Sequence, residues 1–133
     1  MSDLLSGATV LIVDKDVGLA FWLGEIFTEL GCHAVPALDY TQAVSIIREL
    51  NLKIDLVVVN PGLPRVSDLI RTLQRAHRPL KIIAIHEGHV PCIRMIDSDA
   101  ILERPAGWEP ISREEWLDRV RKIFHDVLAE GAD

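Results

Sequence analysis

Five short apolar runs alternate with segments of helical periodicity along most of the chain, and this alternation constrains the fold more than any other feature. Strands that alternate with helices are joined by right-handed crossovers, so they form a parallel sheet covered by helices on both faces. The second run contains Pro36, which lacks an N–H for the sheet, and it is expected at a sheet edge. The runs are ATVLIV (8–13), CHAVPA (32–37), IDLVVV (54–59), LKIIAI (80–85) and DAILE (99–103).

Four helices are indicated by apolar residues at helical spacing. The first is expected to end at Gly31, the second to begin behind Asp39 or Thr41, and the last to begin with a capping box of Ser112 and Glu115. A further helix between the fourth and fifth runs, at 92–96, is expected to be short or irregular. The apolar stripes are Ala20, Leu23, Phe27 and Leu30; Ala43, Ile46, Ile47 and Leu50; Val66, Leu69, Ile70 and Leu73; and Trp116, Val120, Ile123, Phe124 and Val127.

Composition and charge narrow the classes of protein. With 133 residues, 49% of them hydrophobic, the chain fits one domain (1–133, core about 8–126) that needs no disulfide or metal. A net charge of -6 without a Lys/Arg cluster of the kind that follows a phosphate backbone argues against a nucleic-acid partner. Cys32 and Cys92 have no metal-type spacing, and no targeting or transmembrane segment is evident, so a cytoplasmic protein without membrane contact is expected.

Polar residues stand where the predicted strands end. Ligands of open parallel sheets bind beyond the carboxyl ends of the strands, at the switch in strand order. We therefore expect one site at this edge, and its residues are Asp14, Lys15 and Asp16 after the first strand, Asn60 after the third, His86 after the fourth and Arg104 after the fifth.

The motifs LIVDKD, LVVVNPGLP, IIAIHE and ILERP, in this order and at these intervals, resemble the receiver domain of two-component response regulators over residues 8–126. The resemblance implies a flavodoxin-like, doubly wound, five-stranded parallel sheet in the order 2-1-3-4-5. In that family the first strand ends in two acids that hold magnesium, and the third ends in an aspartate that is phosphorylated. The fourth strand ends in Thr or Ser, and the fifth ends in Lys followed by a cis proline.

Most positions of this pocket depart from the family pattern. Asp14 and Pro105 match it, and Pro105 implies a cis peptide bond after Arg104. The other positions are Lys15 in place of the second acid with Asp16 one residue later, Asn60 in place of the phosphoacceptor, His86 in place of Thr or Ser, Arg104 in place of Lys, and Ile101 in place of the switch aromatic. The resemblance therefore implies a degenerate phosphorylation pocket.

The departures change the chemistry of the pocket. The amide of Asn60 has no anionic oxygen and cannot accept a phosphoryl group, and Pro61 lacks the N–H that deamidation of Asn60 needs. Magnesium requires hard anionic oxygens, and we expect Lys15 and Arg104 to replace the ion, so no metal or cofactor is predicted. The alternative is that Lys15 points to solvent.

His86 is expected to fill the vacated pocket as a hydrogen-bonded residue. A phosphohistidine or a metal ligand is the alternative, although HEGH is not the HExxH motif of zinc proteases. His33, His77 and His125 are isolated in the sequence and are expected at the surface.

The expected function is that of a stand-alone pseudo-receiver in two-component or phosphorelay signalling, which is not an enzyme and acts by phosphorylation-independent protein–protein interaction. The alternatives are a receiver controlled by another phosphosite or a small ligand, a structural partner subunit, and an enzyme or ligand carrier with Asp14 and His86 as acid and base. The last is disfavoured because DKDVGLAF, after the first strand, lacks a phosphate-binding glycine pattern.

The partner is expected to be a histidine kinase, another regulator or an adaptor, and homodimerisation is a further option. The family resemblance places the interaction surface at about 92–128. Trp22 lies off the apolar stripe of the first helix and Trp108 follows Pro105, so these tryptophans and Ile101 are the candidates for partner contacts. For both tryptophans the alternative is simple partial burial. Trp116 is expected in the core.

Overall fold

The computed structural model describes residues 7–51, 53–77, 80–87, 100–104 and 113–130. Strands and helices alternate as the apolar runs predict, and the described part of α4 follows β5. The elements are β1 (Thr9–Val13), α1 (Val17–Glu29), β2 (His33–Ala37), α2 (Tyr40–Leu50), β3 (Leu56–Val59), α3 (Val66–Ala76), β4 (Lys81–Glu87), β5 (Ala100–Arg104) and α4 (Arg113–Glu130).

The five strands form one parallel sheet in the order β2-β1-β3-β4-β5, which confirms the predicted fold. The chain passes from β1 to β2 on one side and later to β3 on the other, so the strand order switches between β1 and β3. In the register, Val13 lies opposite both Ala37 and Val59, and Val59 lies opposite Ala84. The carboxyl ends of the central strands therefore meet at one edge, where this class of fold binds ligands.

The core consists of two apolar layers, one on each face of the sheet. Alternate residues of β1 point to opposite faces, so Val10 and Ile12 join a cluster with α1 and α4, while Leu11 and Val13 join a cluster with α2 and α3. These four side chains are completely buried, and only the first residue of β1, Thr9, is partly exposed. This explains why the strand reads as an unbroken apolar run rather than an alternating one.

The helix ends follow from capping residues. Asp39 is the N-cap of α2, since its Oδ1 accepts from the backbone N–H of Gln42 at 2.8 Å, and this decides between Asp39 and Thr41. Gly31, with φ of 90°, follows the end of α1 as predicted. The predicted stripes of α1 and α3 are buried. In α2 only Ala43 of the stripe is fully buried, and Leu50, the last residue of the helix, is 59% exposed. In α4 the stripe side chains that the structure describes are Val120, which is buried, and Ile123, which is partly buried.

Several sequence expectations need correction, and others fall outside the described residues. His77 is buried rather than exposed, whereas His33 and His125 are exposed as expected. Trp22 is partly buried against the cluster beneath α1. Outside the described residues lie the 92–96 helix, Ser112 of the capping box, Trp108 and the Arg104–Pro105 bond, together with the side chain of Trp116.

Among the described residues, no helix combines the length and the apolar character needed to cross a bilayer.

Candidate functional site

The candidate site lies where β1 and β3 end side by side. The backbone N–H of Asn60 donates to the carbonyl oxygen of Val13 at 3.0 Å, and the N–H of Asp14 donates to Ala37 at 3.1 Å. These bonds continue the sheet ladder for one residue beyond the strands. They place Asp14 and Asn60 next to each other at the switch in strand order.

Asp14 is completely buried. Its Oδ1 accepts from the backbone N–H of Asp16 at 2.9 Å, which turns the chain from β1 into α1. A buried carboxylate is costly unless hydrogen bonds or charges compensate it. Asp14 lies at the carboxyl edge of the sheet rather than within the apolar layers, and it holds the turn from β1 into α1.

Asp16 is partly buried and serves as the N-cap of α1. Its Oδ1 accepts from the backbone N–H of Leu19 at 3.1 Å. A Cβ added at Gly18 would lie 3.4 Å from the same oxygen, so the first turn of α1 packs closely on the cap. This carboxylate is therefore oriented by the start of the helix.

Lys15 is exposed, and no ion pair joins it to the described acidic side chains. The residue points to solvent, which is the alternative named above. Its position gives no support to the interpretation that the Lys15 ammonium replaces a metal ion in the pocket.

The side chain of Asn60 closes a turn in its own loop. Its Oδ1 accepts from the backbone N–H of Gly62 at 2.9 Å, and the N–H of Leu63 donates to the Asn60 carbonyl oxygen at 3.2 Å. Leu63 is only 6% exposed, so the loop is anchored in the core. The Asn60 amide oxygen is therefore held by the loop, where asparagine favours such a turn.

The loop ends at Arg65, which the sequence analysis did not single out. Arg65 has φ of 62°, in the left-handed region that non-glycine residues seldom occupy. Its guanidinium lies 3.9 Å from the centroid of the Tyr40 ring, and its Nε lies 3.4 Å from a carboxylate oxygen of Asp68. Arg65 thus connects the β3–α3 loop to the start of α2. Its position directly before an amphipathic helix, after Pro64, was the available sequence signal.

The other predicted site residues are placed at the same edge by their backbones. β4 continues through His86 and Glu87, two residues further than the apolar run predicted. His86 lies opposite Glu103 and Glu87 lies opposite Arg104 in the register. The side chains of His86 and Arg104, and all of Pro105, lie outside the described part, so the structure brings together Asp14, Asp16 and Asn60 with the backbones of His86 and Arg104.

The described donor groups do not fit the magnesium ion that this type of fold implies. The ion requires several hard oxygens in octahedral geometry. Asp16 caps α1, and the Oδ1 of Asn60 accepts from Gly62. Within the described ranges, no three His, Cys, Asp or Glu residues are grouped so that they could hold a metal.

The fold matches solved receiver domains. A response regulator receiver domain protein (CheY-like) from Methanospirillum hungatei JF-1 is 18% identical with a TM-score of 0.62, over 92% of this chain and 98% of that one. A signal receiver domain of an HD domain-containing protein from Pseudomonas fluorescens Pf-5 is 19% identical with a TM-score of 0.64, over 98% and 93%. A response regulator receiver domain from Clostridium thermocellum is 14% identical with a TM-score of 0.62, over 93% and 97%.

No protein-family model matches the sequence, and no curated protein matches it. At identities below one fifth, the likeness to solved structures establishes the fold. The chain therefore has the CheY-like receiver fold.

Proposed function

We propose that this chain is a pseudo-receiver of two-component or phosphorelay-type signalling, which works by binding another protein and without aspartyl phosphorylation. The observation that carries the proposal is Asn60. It stands at the carboxyl end of β3, beside the buried Asp14, and its Oδ1 accepts from the Gly62 N–H. This is the position at which the receiver domains that it resembles carry their phosphoacceptor.

The chemistry of the amide supports this proposal. An aspartyl phosphate forms when a carboxylate oxygen attacks phosphorus, and Asn60 offers no anionic oxygen for this step. The neighbouring carboxylates are already engaged, since Asp14 accepts from the Asp16 N–H and Asp16 accepts from the Leu19 N–H. Each of these side chains holds a turn in its own loop, and Asn60 offers no anionic oxygen for phosphoryl transfer.

In the absence of phosphoryl chemistry, the output of the domain is a surface for a signalling partner. Ile101 on β5 is 47% exposed and remains the best described candidate on the surface at 92–128. On α1, Phe21 is 60% exposed, whereas the neighbouring Trp22 packs against the core. Phe21 therefore replaces Trp22 as the aromatic contact candidate on this helix. The proposal includes a non-enzymatic role, a cytoplasmic location and, as an option, a homodimer.

Phosphorylation from a small donor tests the proposal. The wild-type protein incubated with acetyl phosphate and magnesium should show no phosphoryl adduct by intact-mass spectrometry. The matched variant carries Asn60→Asp and Lys15→Asp, which rebuild the carboxylates of the family pattern, and it serves as the positive comparison. A stable phosphoryl adduct on wild-type Asp14 or Asp16 would overturn the proposal.

A further inference from the structure

The outer face of α3 carries two arginines on successive turns. Val66, Leu69 and Leu73 are buried against the sheet. The opposite side presents Arg71 and Arg75, which are both exposed and are four residues apart. Side chains at this spacing are neighbours on a helix. Arg71 and Arg75 are called the arginine face below.

The two guanidinium groups are not neutralised within the described part of the chain. Asp68 is the only acid in α3, and its carboxylate lies beside Arg65, 3.4 Å from the Nε. No ion pair joins Arg71 or Arg75 to a described acidic residue. The arginine face therefore offers two adjacent, solvated cations with their hydrogen-bond donors available.

The surrounding sequence is basic in an otherwise acidic chain. Residues 65–81 contain five of the 14 basic residues and one acidic residue, a net charge of +4. Because the whole chain carries -6, the remaining residues carry -10. Such a sign reversal in one segment creates a local positive potential that attracts anionic groups.

Helix stability does not account for this pair. Arg75 lies in the last turn of α3, where a cation interacts favourably with the helix dipole. Arg71 lies in the middle of the helix and gains nothing from the dipole, and like charges at this spacing repel each other. Arginine is a good helix former, so this repulsion is a small cost, and it is the charge of the surface that distinguishes the pair.

We propose that the arginine face binds a short acidic segment of a partner protein. Each guanidinium can hold a carboxylate through two parallel hydrogen bonds, so a partner with closely spaced Asp or Glu side chains matches the pair. This inference goes beyond the proposed function, because it concerns the outer face of α3, which does not include Asn60, and would hold whether or not that residue accepts phosphate.

The size of the face favours a short acidic segment over nucleic acid. α3 has 11 residues, which corresponds to about 16 Å of helix. A nucleic acid carries closely spaced charges along its whole length, so it would extend beyond this face onto a surface with net negative charge. A short segment with a few carboxylates would be attracted by Arg71 and Arg75 without extending onto that negatively charged surface.

Fluorescence anisotropy with a labelled peptide of about eight glutamates tests the proposal, since this length spans the face in an extended conformation. The full chain is compared with Arg71→Glu/Arg75→Glu. The matched control is Arg119→Glu/Lys122→Glu, because these exposed α4 residues undergo the same change in charge. Circular dichroism verifies that each variant is folded. An oligothymidine of about 20 nucleotides probes nucleic-acid binding.

We expect Arg71→Glu/Arg75→Glu to weaken peptide binding by about tenfold or more, and the α4 control to change it by less than about twofold. Binding should decrease between about 50 and 200 mM salt. Equal weakening by both variants would show a non-specific charge effect and overturn the proposal. Absence of peptide binding at low salt, or tighter binding of the oligothymidine, would also overturn it.

Discussion

His77 performs a structural role at the amino-terminal edge of the sheet, opposite the candidate site. It is 7% exposed, and its Nδ1 accepts from the backbone N–H of Ile54 at 3.0 Å. The backbone N–H of His77 donates to the carbonyl oxygen of Leu73 at 2.8 Å. A single imidazole thus joins the end of α3 to the chain entering β3. The Nδ1 must be unprotonated to accept this bond.

Replacement of His77 tests this role. His77→Ala removes the acceptor of a buried N–H and should lower the free energy of unfolding by about 1–3 kcal/mol. His77→Asn retains a side-chain acceptor near the Nδ1 position and should recover part of the loss. The exposed His33 provides the control, since His33→Ala should change stability by less than about 0.5 kcal/mol. Urea denaturation measures all three, and equal losses for His77→Ala and His33→Ala would contradict the role.

Stability should also depend on pH through His77. Burial lowers the pKa of His77 below its ordinary 6.5. The negative charge of nearby Asp55 opposes this decrease in the pKa, and the positive charge of Lys53 adds to it. The unfolded chain therefore binds the proton more readily than the folded chain. The contribution of His77 is fully present above pH 6.5 and is lost as the pH falls through the lower folded-state pKa. Urea denaturation from acidic to neutral pH should show a smaller pH dependence for His77→Asn, and an unchanged dependence would contradict the assignment.

At the scale of the elements, helix ends are set by single side chains. The carboxylate of Asp39 accepts from Gln42, and the side chain of Gln42 accepts in turn from the backbone N–H of Leu38 at 2.7 Å. This reciprocal pair satisfies two N–H groups at the start of α2. Thr41 lies only two residues away, but it is inside the helix and exposed.

The two candidates for this cap can be compared directly. Asp39→Ala should destabilise the protein by about 1 kcal/mol, and Asp39→Ser should restore most of the loss because serine is also a good N-cap. Thr41→Ala should be within about 0.5 kcal/mol of wild type. Thermal denaturation measures the differences. A larger effect at Thr41 than at Asp39 would show that the helix begins elsewhere.

Periodicity predicted the sheet and the buried helical faces because both depend on local spacing. Val57 and Val58 face opposite layers, and the unbroken apolar run already implied this. The burial of Trp22 and His77 did not follow from spacing. Trp22 lies beside the main apolar stripe of α1 and still packs against the core. His77 is buried where its side chain accepts from the backbone N–H of Ile54, a residue 23 positions earlier in the chain. Such contacts depend on the folded arrangement, which sequence spacing does not specify.

The candidate site was predictable in position but only partly in geometry. Strand ends placed Asp14 and Asn60 at one edge, and the sheet register brings them together. The turn formed by the Asn60 side chain and the outward direction of Lys15 were not predictable, since each depends on loop torsions. The position of Arg65 over Tyr40 likewise requires the packing of α2 beside α3.

At the scale of the whole molecule, the sheet and its two core layers position the loops at the carboxyl edge. The layers share the central strands, and Leu63 anchors the Asn60 loop in the layer beneath α2 and α3. In the family that the sequence resembles, phosphorylation recruits a hydroxyl on the fourth strand and draws an aromatic on the fifth strand inward. Here the corresponding residues are His86 and Ile101, and Ile101 is 47% exposed.

We therefore expect no phosphorylation-dependent switch. Beryllofluoride with magnesium imitates the phosphoryl group on a receiver aspartate, but a ligand shifts an equilibrium only through its different affinities for the two states. With an amide at Asn60 whose Oδ1 is held by Gly62, both states should bind beryllofluoride equally weakly.

Amide NMR spectra at 80–87 and 100–104 should be unchanged by beryllofluoride with magnesium, and the Asn60→Asp/Lys15→Asp variant serves as the comparison. Relaxation dispersion that reveals microsecond-to-millisecond exchange in wild type, suppressed by beryllofluoride, would demonstrate a working switch and contradict this expectation.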